Sequence, residues 1–548
     1  MEPAQQEHGG TDLNEPWLRQ HAFALGLWSI VALGGFLRFF LIGDKTIWLD
    51  EALTIEPARL SFAGGWHWLV SLDAHPPLYY LLLRVWLRLF GDGAFASRAL
   101  SAVCGTLTLP VFYAMAQRLL HAASEGAEFR VRGLGGRERI ALLATFILAI
   151  SPFHVRFGQE VRMYSFITLL VTVNLYLLSR LLCEQRPGHW LWWGLATSEA
   201  AVMLTHNTAL LYPLALNVAV LAAVAVRAAA HEPATAAGEA CWPFLRRWTL
   251  FQVLALLLWS PWIIPLVRQS TMLYQRHWIP FPTFRIVWRA IENFSFSSIP
   301  KALPYLSAWI SLYLLLALAG AIWLRRHKAI VTLLLALLLT PLAAELLISL
   351  KRPMFLDRTL IWTTLVYYML MAAGIFGVGA WLRRGSLWVS RTVTAALLAV
   401  VVVLTFFALR HYYRDYKKEG WDAAAGFIAH RLEPGDVIVF NTILAQVPLE
   451  YYFRGYRKQV EMRGLPMDLD ERPVPEPTMT ASDVPYARRL LQGRRRVWLV
   501  YSHEAYTDPD RLVWRVLREQ MRQGDTRGFV GLNVTLFLAR GQTAAATP

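Results

Sequence analysis

Acidic residues and cysteine are both scarce in this 548-residue sequence. The three cysteines, Cys104, Cys183 and Cys241, stand too far apart for a redox pair, a metal cluster or a disulfide framework. No grouping of His with Asp or Glu has metal-ligand spacing, so neither a metal nor another cofactor is expected. Asp and Glu number 38 against 54 Lys and Arg, giving a formal net charge of +16. A basic balance of that size would suit nucleic acid, but Lys and Arg fall mostly between apolar runs, where membrane orientation accounts for them. No internal repeat is apparent, which speaks against a transporter built from paired halves. A small-residue cleavage site is also missing after the first apolar run, so that run is expected to remain in the mature chain.

Apolar residues are abundant: 56% of the chain is hydrophobic, 23 residues are Trp, and the mean hydropathy is positive. Those values lie outside the range of soluble domains and mark a polytopic membrane protein. Runs long enough to cross about 30 Å of hydrocarbon lie near 22–42, 98–120, 139–157, 164–183, 190–205, 208–226, 249–267, 305–324, 329–350, 359–382 and 392–409, eleven in all. The apolar segment from Leu78 to Phe90 has only 13 residues and carries Arg84 and Arg88, so an amphipathic helix lying in the interface is expected there. Parity supports this. With that segment not crossing, the loops around Arg130 to Arg139, Arg186, Arg246, Arg325 and Arg383 fall on one side, which the excess of positive charge makes cytoplasmic. The expected divisions are a cytoplasmic tail at 1–21, a transmembrane domain at 22–409 and an exterior domain at 410–548.

This topology gathers titratable residues at the exterior rim. Asp50 and Glu51 follow the first span in Trp48-Leu49-Asp50-Glu51-Ala52, where carboxylates do nothing to anchor a chain. Either they form a solvated acidic turn, or Asp50 is a general base with Glu51 tuning it or orienting an acceptor. His75 precedes Pro76-Pro77, either as part of a structural corner or as a hydrogen-bond partner for a phosphate or sugar. Glu160, Arg162 and Tyr164 interrupt an apolar region, and His206 stands on the same rim. Glu160 and Arg162 are two residues apart, so on a helix they would not pair with each other. Lys351, Arg352 and Arg358 form a short cationic loop between two spans. Arginines on the outer face of a positive-inside protein ask for an anion, and a lipid phosphate is the one at that depth. Arg358 paired with Asp357 on the surface is the plainer reading. Glu199 and Glu345, inside spans with no motif around them, are expected to be helix contacts.

Beyond residue 410 the pattern changes. Trp421 to His430 reads as a helix, Asp436 to Phe440 as a strand, and a helix near 486–493, a strand from Arg496 to Tyr501, a helix near 508–522 and an apolar run from Phe529 to Leu538 follow. Alternating helix and strand predict a small α/β domain. Glu461 to Pro485, rich in Pro and charge, is expected to be an irregular loop.

The stretches WLDEA at 48–52, HPPLYYLLLRVWLRLFG at 75–91, ASRALSA at 96–102, SPFHVRFGQEVRMYS at 151–165 and LTHNTALL at 204–211 carry a family resemblance. With an Arg opening a late span and GWDAAAGFIAHRLEPGDVIVF at 420–440, the sequence resembles the protein O-mannosyltransferase-like glycosyltransferases of the GT-C superfamily (family 39/aminoarabinose transferase-like). The branch includes bacterial lipid A aminoarabinose transferases. The resemblance implies a GT-C fold with interfacial helices in a large first exterior loop, a polyprenyl-phosphate sugar as donor, and inverting transfer of a hexose or pentose to a lipid, glycan or protein acceptor. It maps the family's catalytic base onto Asp50, with Glu51 beside it, and its donor-phosphate arginine onto Arg358. Lys351, Arg352 and Arg162 are further expected phosphate contacts, and His75, Glu160, Tyr164 and His206 expected substrate contacts. Many relatives have Arg-Tyr where this chain has Arg358-Thr359. The expected location is the cytoplasmic (inner) membrane, with the active site on the periplasmic side. Transfer of arabinose or aminoarabinose to lipid A, a flippase for lipid-linked sugar, and a non-catalytic scaffold are the alternatives.

Overall fold

The computed structural model describes residues 14–71, 73, 75–122, 136–272, 279–297, 304–455, 460–466 and 478–540. Residues 1–13 of the expected tail, Arg130 of the first basic loop and 467–477 of the expected irregular loop lie outside the described residues. Among the described residues, nine helices are long and apolar enough to cross a membrane, and ten when a bent pair counts as one span. The chain is a multi-pass membrane protein. The run expected at 190–205 forms the helix Trp190–Met203, whose 14 residues extend only about 21 Å at the usual helical rise. Leu78–Phe90 is a helix over the expected residues, and two more short helices, Leu49–Arg59 and Phe62–Ser71, precede it in the first loop.

The bent pair has a local cause. Gly136–Ile150 and Pro152–Gly158 meet at 55°. Pro152 has no N–H for the carbonyl of Leu148, and its ring excludes a regular continuation. The freed carbonyls of Leu148 and Ala149 accept hydrogen bonds from Arg38 at 3.3 and 3.0 Å. Arg38 is 1% exposed, and Gly105 and Gly158 make room for its stem. The arginine inside the first span thus replaces the backbone donors lost at the bend.

Close helix packing completes the bundle. Leu306–Trp323 lies against Thr364–Leu382 with Gly320 facing Gly374. A methyl group on Gly374 would come 1.8 Å from the Leu316 carbonyl oxygen, and one on Gly320 would come 2.0 Å from that of Leu370. Small residues allow such an approach where lipid offers helices no hydrophobic drive to associate.

After the last long helix, Leu387–Arg414, the chain forms an α/β unit. Its strands are β1 (Val437–Phe440), β2 (Glu461–Gly464), β3 (Arg496–Ser502), β4 (Met521–Phe529) and β5 (Leu532–Ala539), in the order β2-β1-β3-β5-β4. The first three pair in parallel, and β5 pairs antiparallel with both β3 and β4. Alternate residues serve opposite faces. Ile438, Phe440, Trp498 and Val500 pack with Trp421 and Ile428, whereas Val437, Val439, Val497 and Leu499 pack with Leu491, Val513 and Leu517. The expected loop at Glu461 to Pro485 begins instead with the edge strand β2, whose polar sequence hides its pairing. The apolar run at the end is the inner half of the β4–β5 hairpin, and the Leu512–Gln520 helix stops where β4 begins.

This unit docks on the first loop through the helix Ile443–Tyr452, which packs against Leu49–Arg59. The Tyr452 hydroxyl accepts from the Ile47 N–H at 2.6 Å, and the Tyr451 hydroxyl donates to the Asp92 carbonyl at 2.8 Å. Replacing Gly374 with Leu is expected to lower the thermal unfolding midpoint of the detergent-solubilised chain by about 5 °C or more. Gly426→Ala, in open space on a helix, is expected to leave the midpoint unchanged or slightly raised. Thermal-shift measurements on the pair check both.

Candidate active site

Asp50 and Glu51 open the helix Leu49–Arg59, where negative charge suits the amino-terminal end of the helix dipole. Successive residues on a helix point about 100° apart, and that rotation sends the two carboxylates to different surroundings. Asp50 stays about one-quarter exposed, with its Oδ2 3.5 Å from Arg358 Nη1. Glu51 is fully buried.

Around Asp50 the chain assembles a polar rim. Thr54, one turn later, shares its face. Arg162 donates to Thr54 Oγ1 at 2.9 Å and to the Asp50 carbonyl at 3.4 Å. Arg162 Nη2 also lies 3.1 Å from His75 Nε2. Because a guanidinium only donates, His75 accepts through Nε2. The His75 ring stands 4.5 Å from that of His206, whose Nδ1 accepts from the Thr208 N–H at 3.1 Å. The Tyr164 ring is 6.1 Å from that of His206 and 5.8 Å from the Arg162 guanidinium. Asp73 accepts from Tyr80 at 2.7 Å and comes 3.9 Å from His75. The geometry therefore brings together Asp50, Arg162, Arg358, His75, Tyr164 and His206. It leaves Lys351 exposed and Arg352 half-buried in the turn ahead of Arg358.

Asp357 does not hold Arg358 through its carboxylate and guanidinium, as the plainer reading expected. Its carboxylate accepts from Asn293 and from the Arg358 backbone N–H. The Arg358 guanidinium turns instead to Asp50. Thr359 donates to the buried Glu345 at 2.7 Å. Glu345 is thus a helix contact, as is Glu199 through Gln252.

Two expected site residues belong elsewhere. Arg98 grips Glu51 with two hydrogen bonds of 2.7 Å, Lys418 adds a third at 3.0 Å, and the Val161 N–H a fourth at 3.0 Å. Glu160 lies 3.4 Å from Arg156 and 3.8 Å from Lys418. Glu51 has no surface with which to touch an acceptor, and the Glu160 carboxylate is only 2% exposed. Both form an internal ion cluster instead of a substrate surface. The partners of Glu160 are Arg156, four residues earlier, and Lys418, 258 residues later, instead of the substrate expected for it. Burial opposes charge on Glu51, but Arg98 and Lys418 outweigh it and bring its carboxyl down to about 2. Burial, with Arg98 nearby, brings Lys418 down to about 8 despite Glu51.

The sequence matches no family model and no curated protein sequence. Similar solved structures span nearly the whole chain. ArnT from Cupriavidus metallidurans in the apo state aligns with a TM-score of 0.59 at 14% identity, covering 94% of this chain and 98% of ArnT. The same protein bound to undecaprenyl phosphate gives 0.58 at 14% identity, with 92% and 97% covered. The oligosaccharyltransferase AglB from Archaeoglobus fulgidus gives 0.53 at 11% identity, with 95% of this chain and 74% of AglB covered. The chain has the GT-C fold. Within this GT-C fold, the first-loop helices, the bend after the third span and the start of the Asp357–Leu382 segment converge on Asp50.

Sequence reasoning passed over Thr54, Asp73, Lys418 and Glu419. Glu419 Oε2 accepts from the Leu49 N–H at 3.2 Å across 370 residues. No local pattern signals such a contact. Replacing Glu51 with Gln leaves two buried cations without their anion and is expected to cost about 3 kcal/mol of stability. Denaturant midpoints of the two proteins read this. The folded-state carboxyl of Glu51 titrates below its unfolded value of 4.5. Its contribution is therefore full above that pH and is lost as pH falls toward about 2. The Gln variant should lack that portion of the acid sensitivity.

Proposed function

We propose that this chain is an inverting glycosyltransferase that moves a hexose or pentose from a polyprenyl phosphate to a lipid, glycan or protein hydroxyl. The carrying observation is a partly exposed carboxylate, Asp50, within 3.5 Å of Arg358 and anchored on the same rim as Arg162. A base beside phosphate-binding cations is what this displacement requires. The neighbour structures bound to undecaprenyl phosphate and to dolichol phosphate support a lipid phosphate in this fold.

In the reaction, Asp50 takes the acceptor hydroxyl proton while the oxygen attacks the anomeric carbon opposite the phosphate. The bond from that carbon to the phosphate oxygen breaks, its electron pair leaves with the polyprenyl phosphate, and configuration inverts. Arg358 and Arg162 stabilise the charge gathering on the departing phosphate. Arg358 has a second task. A donor phosphate offers its guanidinium two oxygens in bidentate geometry, and pairing there releases the Asp50 carboxylate to accept a proton. His75, His206 and Tyr164 line the acceptor side, while Lys351 and Arg352 attract the anionic donor from the loop. The positive-inside pattern supports a periplasmic location, at the cytoplasmic membrane, for this rim and the α/β unit.

Two substitutions test the reading with a panel of radiolabelled polyprenyl-phosphate sugars in membranes. Asp50→Asn is expected to lower product formation by at least about 10³-fold, the scale of general-base loss, with donor binding retained. Arg358→Ala is expected to weaken donor binding and transfer together. Equal transfer by the Asp50→Asn protein would remove Asp50 from the mechanism. Movement of labelled lipid between leaflets without product would make the chain a flippase.

A further inference from the structure

The helix that carries Asp50 lacks a cap of its own. Trp48 occupies its N-cap position and offers no side-chain acceptor, although the first N–H groups of a helix have no partner within it. One of them, that of Leu49, next to Asp50, is taken by Glu419 Oε2 at 3.2 Å. Glu419 is itself held from two sides. Trp421 Nε1 donates to Oε2 at 2.6 Å, and His503 Nε2 stands 3.3 Å from Oε1. His503 follows the end of β3 in a left-handed conformation, φ 54°. Its Nδ1 lies 2.7 Å from Ser502 Oγ. The neighbouring residue Lys418 reaches Glu51, the residue after Asp50. Two adjacent link residues therefore grip positions on either side of Asp50. One grip is a buried ion pair, and the other is a helix cap supplied by the α/β unit.

We propose that Glu419 is a positioning residue for Asp50. By capping the Leu49–Arg59 helix from outside, with His503 and Trp421 fixing its carboxylate, it keeps Asp50 aligned with Arg358 and Arg162. The α/β unit then serves the reaction without touching either substrate, and its removal from the helix end misplaces the base. This rests on Asp50 being the base. Held by His503 and Trp421, the Glu419 carboxylate takes the place of the Ser, Thr or Asn side chain usual at a helix start. Its charge also favours the amino-terminal end of the helix dipole.

The test uses the full chain in lipid nanodiscs with Glu419→Ala, Glu419→Gln and His503→Gln, reading transfer kinetics and amide hydrogen exchange. Glu419→Ala is expected to lower kcat about tenfold, because a base displaced by a fraction of an ångström loses alignment, with KM for donor within about twofold of the natural value. The Gln side-chain oxygen still accepts the Leu49 N–H, so Glu419→Gln is expected to recover most of the loss. His503→Gln should fall between the two. Exchange across 48–55 should quicken in the Ala protein, with β3 unchanged as evidence of an intact unit. An Ala protein with natural kcat, or with a raised KM and unchanged kcat, overturns the proposal. So does unchanged exchange across 48–55. If the natural chain transfers no sugar, the glycosyltransferase reading fails by itself. The exchange comparison still decides whether Glu419 holds the helix.

Discussion

A carboxylate with no exposure, clasped by cations 47 and 367 residues away in sequence, is the constraint on which the rest of this structure depends. Burying Glu51 is tolerable only while Arg98 and Lys418 stay in place, because one missing partner leaves an uncompensated charge. The cluster therefore fixes three segments against one another: the first-loop helix, the long helix Ala94–Ala122 and the link into the α/β unit. Arg98 extends the grip by donating to the carbonyls of Ile42, Lys45 and Thr46, closing the turn between the first span and the Asp50 helix. The rigid charge and the reactive charge are neighbours in sequence, separated only by the rotation of one helical step.

The same division runs through the Ser151 to Tyr164 stretch. Pro152 breaks the span, and Arg38 takes over the carbonyls that the break exposes. Beyond the break, Glu160 turns into the ion cluster, Val161 gives its N–H to Glu51, and Arg162 turns out to the rim. One short irregular segment thus feeds both the scaffold and the site. Irregular backbone at this depth is tolerable where its polar groups find such contacts, as the Val161 N–H does with Glu51.

Much of the architecture was legible in the residues. Spans such as Tyr164–Cys183 and Lys328–Ser349 are long apolar runs, and the short basic Leu78–Phe90 segment forms the separate helix expected of it. Buried strands such as Val437–Phe440 announce themselves as β-branched and aromatic runs. The edge strand β2, with sequence Glu-Met-Arg-Gly, and the polar β4 carry no such signal, since only their pairing with β1 and β5 makes them strands. The Trp190–Met203 run was apolar enough for a span, but its helix ends before reaching that length. Within the site, Asp50, Arg162, His75, Tyr164, His206 and Arg358 stand out in sequence as ionisable or aromatic residues at span ends. That signal did not separate them from Glu51 and Glu160.

That the chain crosses a membrane many times, that polar residues gather at one end of its spans and that an α/β unit follows could all be read from the residues in order. Each of those rests on local composition and period, which neighbouring residues carry among themselves. The packed chain, in contrast, brings the Arg358 side chain to Asp50 and not to the Asp357 carboxylate, and turns Glu51 and Glu160 inward. It also lets Glu419 cap a helix 370 residues upstream. The physical reason is that a charged group takes whichever partner and burial the packed chain brings to it. Those are fixed by contacts between segments that share no local pattern.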